Sequence, residues 1–118
     1  MRDFKKYQIW QQAFELSIDC YRLANQLPER EKFGLRSQIN GAAISIPSNI
    51  TEGASRNFDL EFKRFLEIAI GSAFELETQL MIAKELGIID SDSTLSFLTK
   101  LRENQASINA LIQKLKPS

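Results

Sequence analysis

The chain has 118 residues, of which 43% are hydrophobic and 25% charged, the size and balance of one ordinary globular domain. Fifteen basic residues offset fifteen acidic ones, so the strong basic excess of a dedicated nucleic-acid binder is absent, and self-association meets little electrostatic resistance. There is no histidine and a single cysteine, Cys20. This excludes an intrachain disulfide and a thiolate metal cluster, and removes the commonest general base and transition-metal ligand.

The apolar period is helical almost throughout. In helix 1, Tyr7, Trp10, Phe14, Ser17, Tyr21 and Ala24 repeat at steps of three and four, beside a second stripe of Ala13, Leu16, Cys20, Leu23 and Leu27. Pro28 stops it, and the following PEREK reads as a solvated turn. Helix 2 opens near Phe33 to Leu35, with the stripe Leu35, Ile39, Ala42/Ala43, Ile46, Ile50 and Ala54. The stripe keeps its phase across Pro47, which predicts a continuous helix kinked there and ended at Gly53. Helix 3 is expected to be capped by Asn57 or Asp59, with Phe62, Phe65/Leu66, Ala69, Ala73, Leu76, Leu80 and Ala83 inward. Its remaining circumference is also apolar, a sign of burial on more than one side. Leu86-Gly87-Ile88 resembles a C-terminal cap. Asp90, Ser91 or Asp92 caps helix 4, whose stripe is Leu98, Leu101, Gln105, Ile108, Ile112 and Leu115, and Pro117 closes the chain.

Four helices of about 20 to 28 residues with short loops predict one all-α domain over 1–118, an antiparallel up-down-up-down four-helix bundle. Folding helices 2 and 3 about a turn near Asn57 sets Gly41-Ala42 against Gly71-Ser72 and Glu52 near Lys63. The glycines are read as packing devices, because glycine within a helix costs about 1 kcal/mol against alanine. The N-terminus does not read as a signal peptide, and no apolar run approaches the roughly 20 residues that span a bilayer. A cytoplasmic protein is expected, with no membrane partner, and the sequon Asn49-Ile50-Thr51 is then a coincidence of letters.

No residue set points to catalysis. Glu52, Glu61, Glu67, Glu75 and Glu77 could in principle hold a metal, but the histidines of a di-iron bundle are missing, and solvated helix faces account for them. Cys20 lies on an apolar stripe without a histidine partner and reads as a structural cysteine. No phosphate-binding glycine loop is present, so neither cofactor nor small-molecule substrate is expected. Ser45, Asn49, Glu52 and Arg56 form a polar stripe on helix 2. Its preferred reading is a hydrogen-bond network that satisfies the carbonyl freed by Pro47 and fixes helix 2 against a neighbour. The alternative is a contact surface for RNA or a protein. Arg56, Lys63 and Arg64 cluster at the helix 2–3 turn as a modest phosphate-binding candidate, offset by Glu52, Asp59 and Glu61. The aromatics Phe4, Tyr7, Trp10, Phe14 and Tyr21 could stack on bases, but at helical spacing read as core.

The stretches FKKYQIWQQAFELSIDCYRL, FGLRSQINGAAISIPSNITEGASR and EFKRFLEIAIGSAFELETQLMIAKELGII together resemble the bacterial family of 23S rRNA intervening-sequence proteins, over roughly Phe4 to Ile89. The signature is Ser45-Ile-Pro-Ser-Asn-Ile-Thr-Glu-Gly53, followed by Glu61-Phe62 and by Gly71-Ser72 with Glu75. The resemblance implies a four-helix bundle assembling as a ring-shaped homopentamer, with a molecular function largely unassigned. It also implies possible partners: a related branch, the accessory proteins of diversity-generating retroelements, binds nucleic acid and a reverse transcriptase. Two departures stand out. Many members carry Arg-Arg where this chain has Asn40-Gly41, which removes two cations from helix 2, and the usual Asn-Ile-Ala-Glu-Gly reads Asn-Ile-Thr-Glu-Gly here. The expectation is a non-enzymatic homo-oligomer that binds RNA or a nucleoprotein; the alternative is a protein–protein adaptor with no nucleic-acid role.

Overall fold

The computed structural model describes residues 1–115, and among them every regular element is helical. The four helices are α1 (Gln8–Ala24), α2 (Leu35–Ala54), α3 (Asp59–Glu85) and α4 (Ser91–Lys114), with single 3-10 turns at Phe4–Lys6 and Glu29–Glu31. Pro117 lies outside the described residues. Each boundary has a local cause. α1 ends at Ala24, and turn bonds from Gln26 and Leu27 to the carbonyls of Leu23 and Ala24 carry the chain to Pro28; the residue before a proline disfavours helical geometry. α2 runs unbroken through Pro47. α3 departs from expectation: the capping position is Phe58, with no side-chain cap, and Asp59 is already the first helical residue. Asp59 and Glu61 instead favour the start of the helix through its dipole. At the other end of α3, Gly87 adopts φ +69°. Its N–H reaches the Lys84 carbonyl at 3.0 Å and the Ile88 N–H reaches that of Ala83 at 3.2 Å, the paired bonds of a glycine-terminated helix. Asp90 caps α4 by accepting the Ser93 N–H at 2.8 Å. That bond, with the Ser93 hydroxyl, holds its carboxyl below the usual range.

One hydrophobic cluster draws on all four helices. It takes the Ala13, Leu16, Cys20, Leu23 stripe of α1, whereas Phe14 and Tyr21 of the neighbouring stripe stay exposed. The expectation that the aromatics are core therefore holds for Phe4, Tyr7 and Trp10, which pack against the cluster, and fails for Phe14 and Tyr21. α1 packs on α2 and α4, and α3 packs on α2 and α4; among the described residues α1 and α3 make no close backbone contact. The pairings that lock α1 are Trp10 with Thr51, Ser17 with Ala43 and Cys20 with Ile39 on α2, and Ile9 and Gln12 with Asn104 on α4. Asn104 is a fully buried polar residue that the helical period alone does not mark. Its amide donates to the Ile9 carbonyl at 3.1 Å and to Gln12 Oε1 at 3.0 Å.

The α2–α3 pair is packed most extensively, but not at the expected register. Ser72 meets Ser45 rather than Gly41, with 2.8 Å between hydroxyls, a shift of about one helical turn. Gly41 and Gly71 are exposed, and a β-carbon at either would meet nothing within 4 Å. Their reading as packing devices between helices 2 and 3 is thus corrected. The glycine that permits the close approach is Gly53. A β-carbon there would lie 2.7 Å from Phe65 Cβ and 3.0 Å from Phe62 Cδ1. Gly53→Ala is expected to destabilise the fold by about 1–3 kcal/mol, the usual cost of overpacking, read as a lowered urea midpoint with unchanged slope.

Candidate functional site

Pro47 supplies no N–H, so the carbonyl of Ala43, one turn earlier, loses its helical partner. The structure meets this need from outside α2. Ser17 Oγ on α1 lies 3.0 Å from the Ala43 carbonyl and 2.9 Å from its own Ala13 carbonyl. The polar stripe of α2 leaves the Ala43 carbonyl to Ser17 and makes the other part of the expected network, the link to a neighbouring helix. Asn49 donates its amide to the Ser45 carbonyl at 2.8 Å and to Ser45 Oγ at 2.9 Å, and Ser45 in turn bonds Ser72 on α3. Ser45 and Asn49 form a half-buried polar link between two helices. Thr51 accepts the Trp10 indole N–H at 3.0 Å, so the last residue of the sequon fastens α1 to α2.

The remaining candidates gather at the α2–α3 turn. Glu52 pairs with Arg56 at 3.2 Å, one turn along the same helix, and not across to Lys63. The Arg56 guanidinium lies over the Phe65 ring, 4.9 Å from its centroid. Next to it stands a residue without any periodic signal, Arg2. Its guanidinium pairs with Asp59, donates to the Arg56 carbonyl at 2.6 Å and covers the Phe62 ring at 4.6 Å. The turn thus carries four cations, Arg2, Arg56, Lys63 and Arg64, two of them already held by carboxylates and aromatic faces. Among the described residues Lys63 and Arg64 form no ion pair; Lys63 is half-buried and Arg64 exposed.

The glutamates are dispersed by their partners. Glu77 binds Arg102 at 3.1 Å and Gln105 at 2.9 Å, while Glu75 accepts from Gln79 at 3.2 Å. Among the described residues no three His, Cys, Asp or Glu side chains converge where a metal ion could sit. Cys20 is fully buried. Burial pushes its thiol up to about 12 from an ordinary 9.0, so it is not a nucleophile at neutral pH. No helix among the described residues is long and apolar enough to cross a membrane.

These features define a small all-helical protein with four helices around one core and a polar, partly basic ridge at one turn. It belongs to the family of 23S rRNA-intervening sequence proteins, whose model matches residues 5–110. Among solved structures it is similar to the crystal structure of a protein of unknown function from the S23 ribosomal protein family of Bacteroides thetaiotaomicron. That likeness has a TM-score of 0.82 at 23% identity and covers 89% of this chain and 95% of that one; it speaks to the fold. No curated protein matches the chain.

Two outcomes follow from this geometry. Ser17→Ala leaves the Ala43 carbonyl without a partner and is expected to cost about 1–2 kcal/mol, measured by urea unfolding. Cys20 binds its proton more tightly in the folded chain than in the unfolded one. Its contribution to stability is therefore complete below pH 9 and declines as the pH rises toward 12. The urea midpoint of the wild type should fall with a steeper slope across that range than that of Cys20→Ala.

Proposed function

We propose that this chain is a non-enzymatic homo-oligomeric scaffold: an up-down-up-down antiparallel four-helix bundle bent at Pro47, assembling as a ring-shaped homopentamer in the cytoplasm. The observation that carries the assembly is apolar surface left outside the core. Phe14, Ile18, Tyr21 and Ile44 on one side, and Ile68, Phe74, Met81 and Ile82 on α3 with Leu86 just beyond it, are large exposed hydrophobic residues, and apolar surface gathered in patches marks an interaction site. The antiparallel course is supported by the pairs Trp10–Thr51 and Cys20–Ile39, and by Ser45–Ser72 with Gly53 at Phe62 and Phe65.

The scaffold binds RNA or a nucleoprotein partner through Lys63 and Arg64, with Glu52 and Arg56 beside them at the turn, while Ser45 and Asn49 hold the helix pair together farther from it. The family's name, and two cations that form no ion pair among the described residues, support this half of the proposal. The second reading, a protein–protein adaptor with no nucleic-acid role, is favoured by the zero net charge and by the capture of Arg56 by Glu52. Filter binding of a single-stranded RNA across a salt series separates the two. RNA binding predicts affinity that falls steeply with salt, weakened further by Lys63→Ala with Arg64→Ala. No retention at low salt, or retention indifferent to salt, overturns it in favour of the adaptor.

A further inference from the structure

Among the described residues α1 and α4 form the loosest of the four helix pairings. They are tied near their ends. Asn104 on α4 binds Ile9 and Gln12 of α1, and beyond the other end of α1 the Asp90 N–H donates to Gln26 Oε1 at 3.2 Å. Between the ties runs a groove in two connected compartments of about 520 and 230 Å³, which share Asp19 and Lys100. From Gln12 to Gln26 it follows α1 for about 20 Å. Its floor is Leu16, Leu23 and Phe97, all members of the core. Its α1 positions, 12, 15, 19, 22 and 26, recur at steps of three and four, as do Phe14, Ile18 and Tyr21 on a different side of the same helix.

The rims are charged, and the charges are unevenly satisfied. Glu15, Asp19, Asp92 and Glu103 line the groove with Arg22 and Lys100. Arg22 is paired with Asp19 at 3.8 Å. Among the described residues the other three carboxylates and Lys100 form no ion pair, and all four are exposed. Three unpaired carboxylates against one ammonium make this groove acidic in a chain whose net charge is zero. The carboxylates do not converge on one point. They are spaced along the groove, which suits several cations on one extended ligand and repels nucleic-acid phosphate. The apolar floor suits the alkyl stems of lysine and arginine. Lys100, where the compartments meet, then needs an acceptor between those cations. Backbone carbonyls of a polypeptide supply one, and a simple polyamine does not. The exposed Ser93 and Ser96 add hydroxyls that can bond the same backbone.

We infer that the α1–α4 groove docks a lysine- or arginine-rich segment of a partner protein. Glu15, Asp92 and Glu103 receive its cations, and Lys100 donates to its backbone carbonyls. The groove is separate from the α2–α3 turn and from the exposed apolar residues of α3, so the inference stands whether or not the chain oligomerises or binds RNA.

The probe is a fluorescein-labelled peptide of alternating lysine and alanine, read by fluorescence anisotropy against the full chain at low salt. A glutamate–alanine peptide is its opposite. The lysine peptide should bind and the glutamate peptide should not. Glu15→Gln with Glu103→Gln should weaken binding by about tenfold. Glu67→Gln with Glu85→Gln removes the same charge from exposed positions on α3 and should leave the affinity unchanged. Lys100→Met should weaken binding by about threefold, although it makes the groove more acidic. All five positions are exposed, and circular dichroism reports that the helices remain.

No binding of the lysine peptide overturns the inference. So does an equal loss from the two glutamine pairs, which marks attraction to the acids of the chain at large. Tighter binding by Lys100→Met, or displacement of the peptide by spermidine at the same concentration of positive charge, overturns it in favour of a polyamine site. If a variant loses its helices, a benzophenone-bearing form of the lysine peptide decides on the wild type. Its crosslinks should fall within residues 12–26 and 92–103, and crosslinks elsewhere overturn the inference.

Discussion

The approach of α2 to α3 at Gly53 sets the positions of most other groups in the molecule. With no side chain at 53, the backbone of α2 comes against Phe62 and Phe65, and the rings become a platform at the end of the helix pair. Arg56 covers one ring and Arg2 the other. The N-terminal segment is thereby drawn to the same turn, where Arg2 also binds the Arg56 carbonyl. The same register brings Ser45 opposite Ser72, and dispersion contacts between close helices add up where larger residues would hold them apart. A side chain at position 53 would move all of these groups at once.

Pro47 poses the opposite problem, a missing donor rather than a missing side chain. α2 runs through the proline with a hydroxyl from α1 bonded to the Ala43 carbonyl that the missing N–H would have served. A buried carbonyl left alone is costly, so Ser17 and Pro47 form one unit although they lie on different helices. This explains why a proline can sit inside α2 without breaking the fold. It also gives the Ser45–Gly53 fingerprint a structural meaning: Pro47 calls on α1 through Ser17, Thr51 binds α1 through Trp10, Ser45 braced by Asn49 bonds α3, and Gly53 admits it.

Much of the helical content was legible in the sequence because buried positions recur every three or four residues. Ile39, Ala43, Ile46 and Ile50 mark the inner face of α2, and Phe62, Leu66, Ala69, Ala73 and Leu76 that of α3, as the structure has them. Three things were not legible. Register along a helix pair depends on which small residues meet, and periodicity is blind to translation by one turn, so the pattern alone sets Gly41 against Ser72 where Ser45 in fact stands. The α3 cap was misplaced because asparagine and aspartate favour capping positions, while here Asp59 is engaged by Arg2. Arg2 itself carries no periodic signal. A serine on an apolar stripe, as at Ser17, was the one available hint that a hydroxyl had a buried task. At the candidate site, the grouping of Arg56, Lys63 and Arg64 was readable from spacing, but the capture of Arg56 by Glu52 and Phe65 depends on side-chain conformation.

The hydrogen bond from Asn104 to the carbonyl of Ile9 spans 95 positions of sequence, while α2 and α3 are joined by a turn of a few residues. The entropic cost of closing a loop grows with its length, and contacts distant in sequence form more slowly than local ones. The α2–α3 pair can thus order with little chain to constrain, whereas seating α4 against α1 must bring together nearly the two extremes of the polypeptide. The buried amide that links them has the longest route to its partner, and its arrival completes the enclosure of the core.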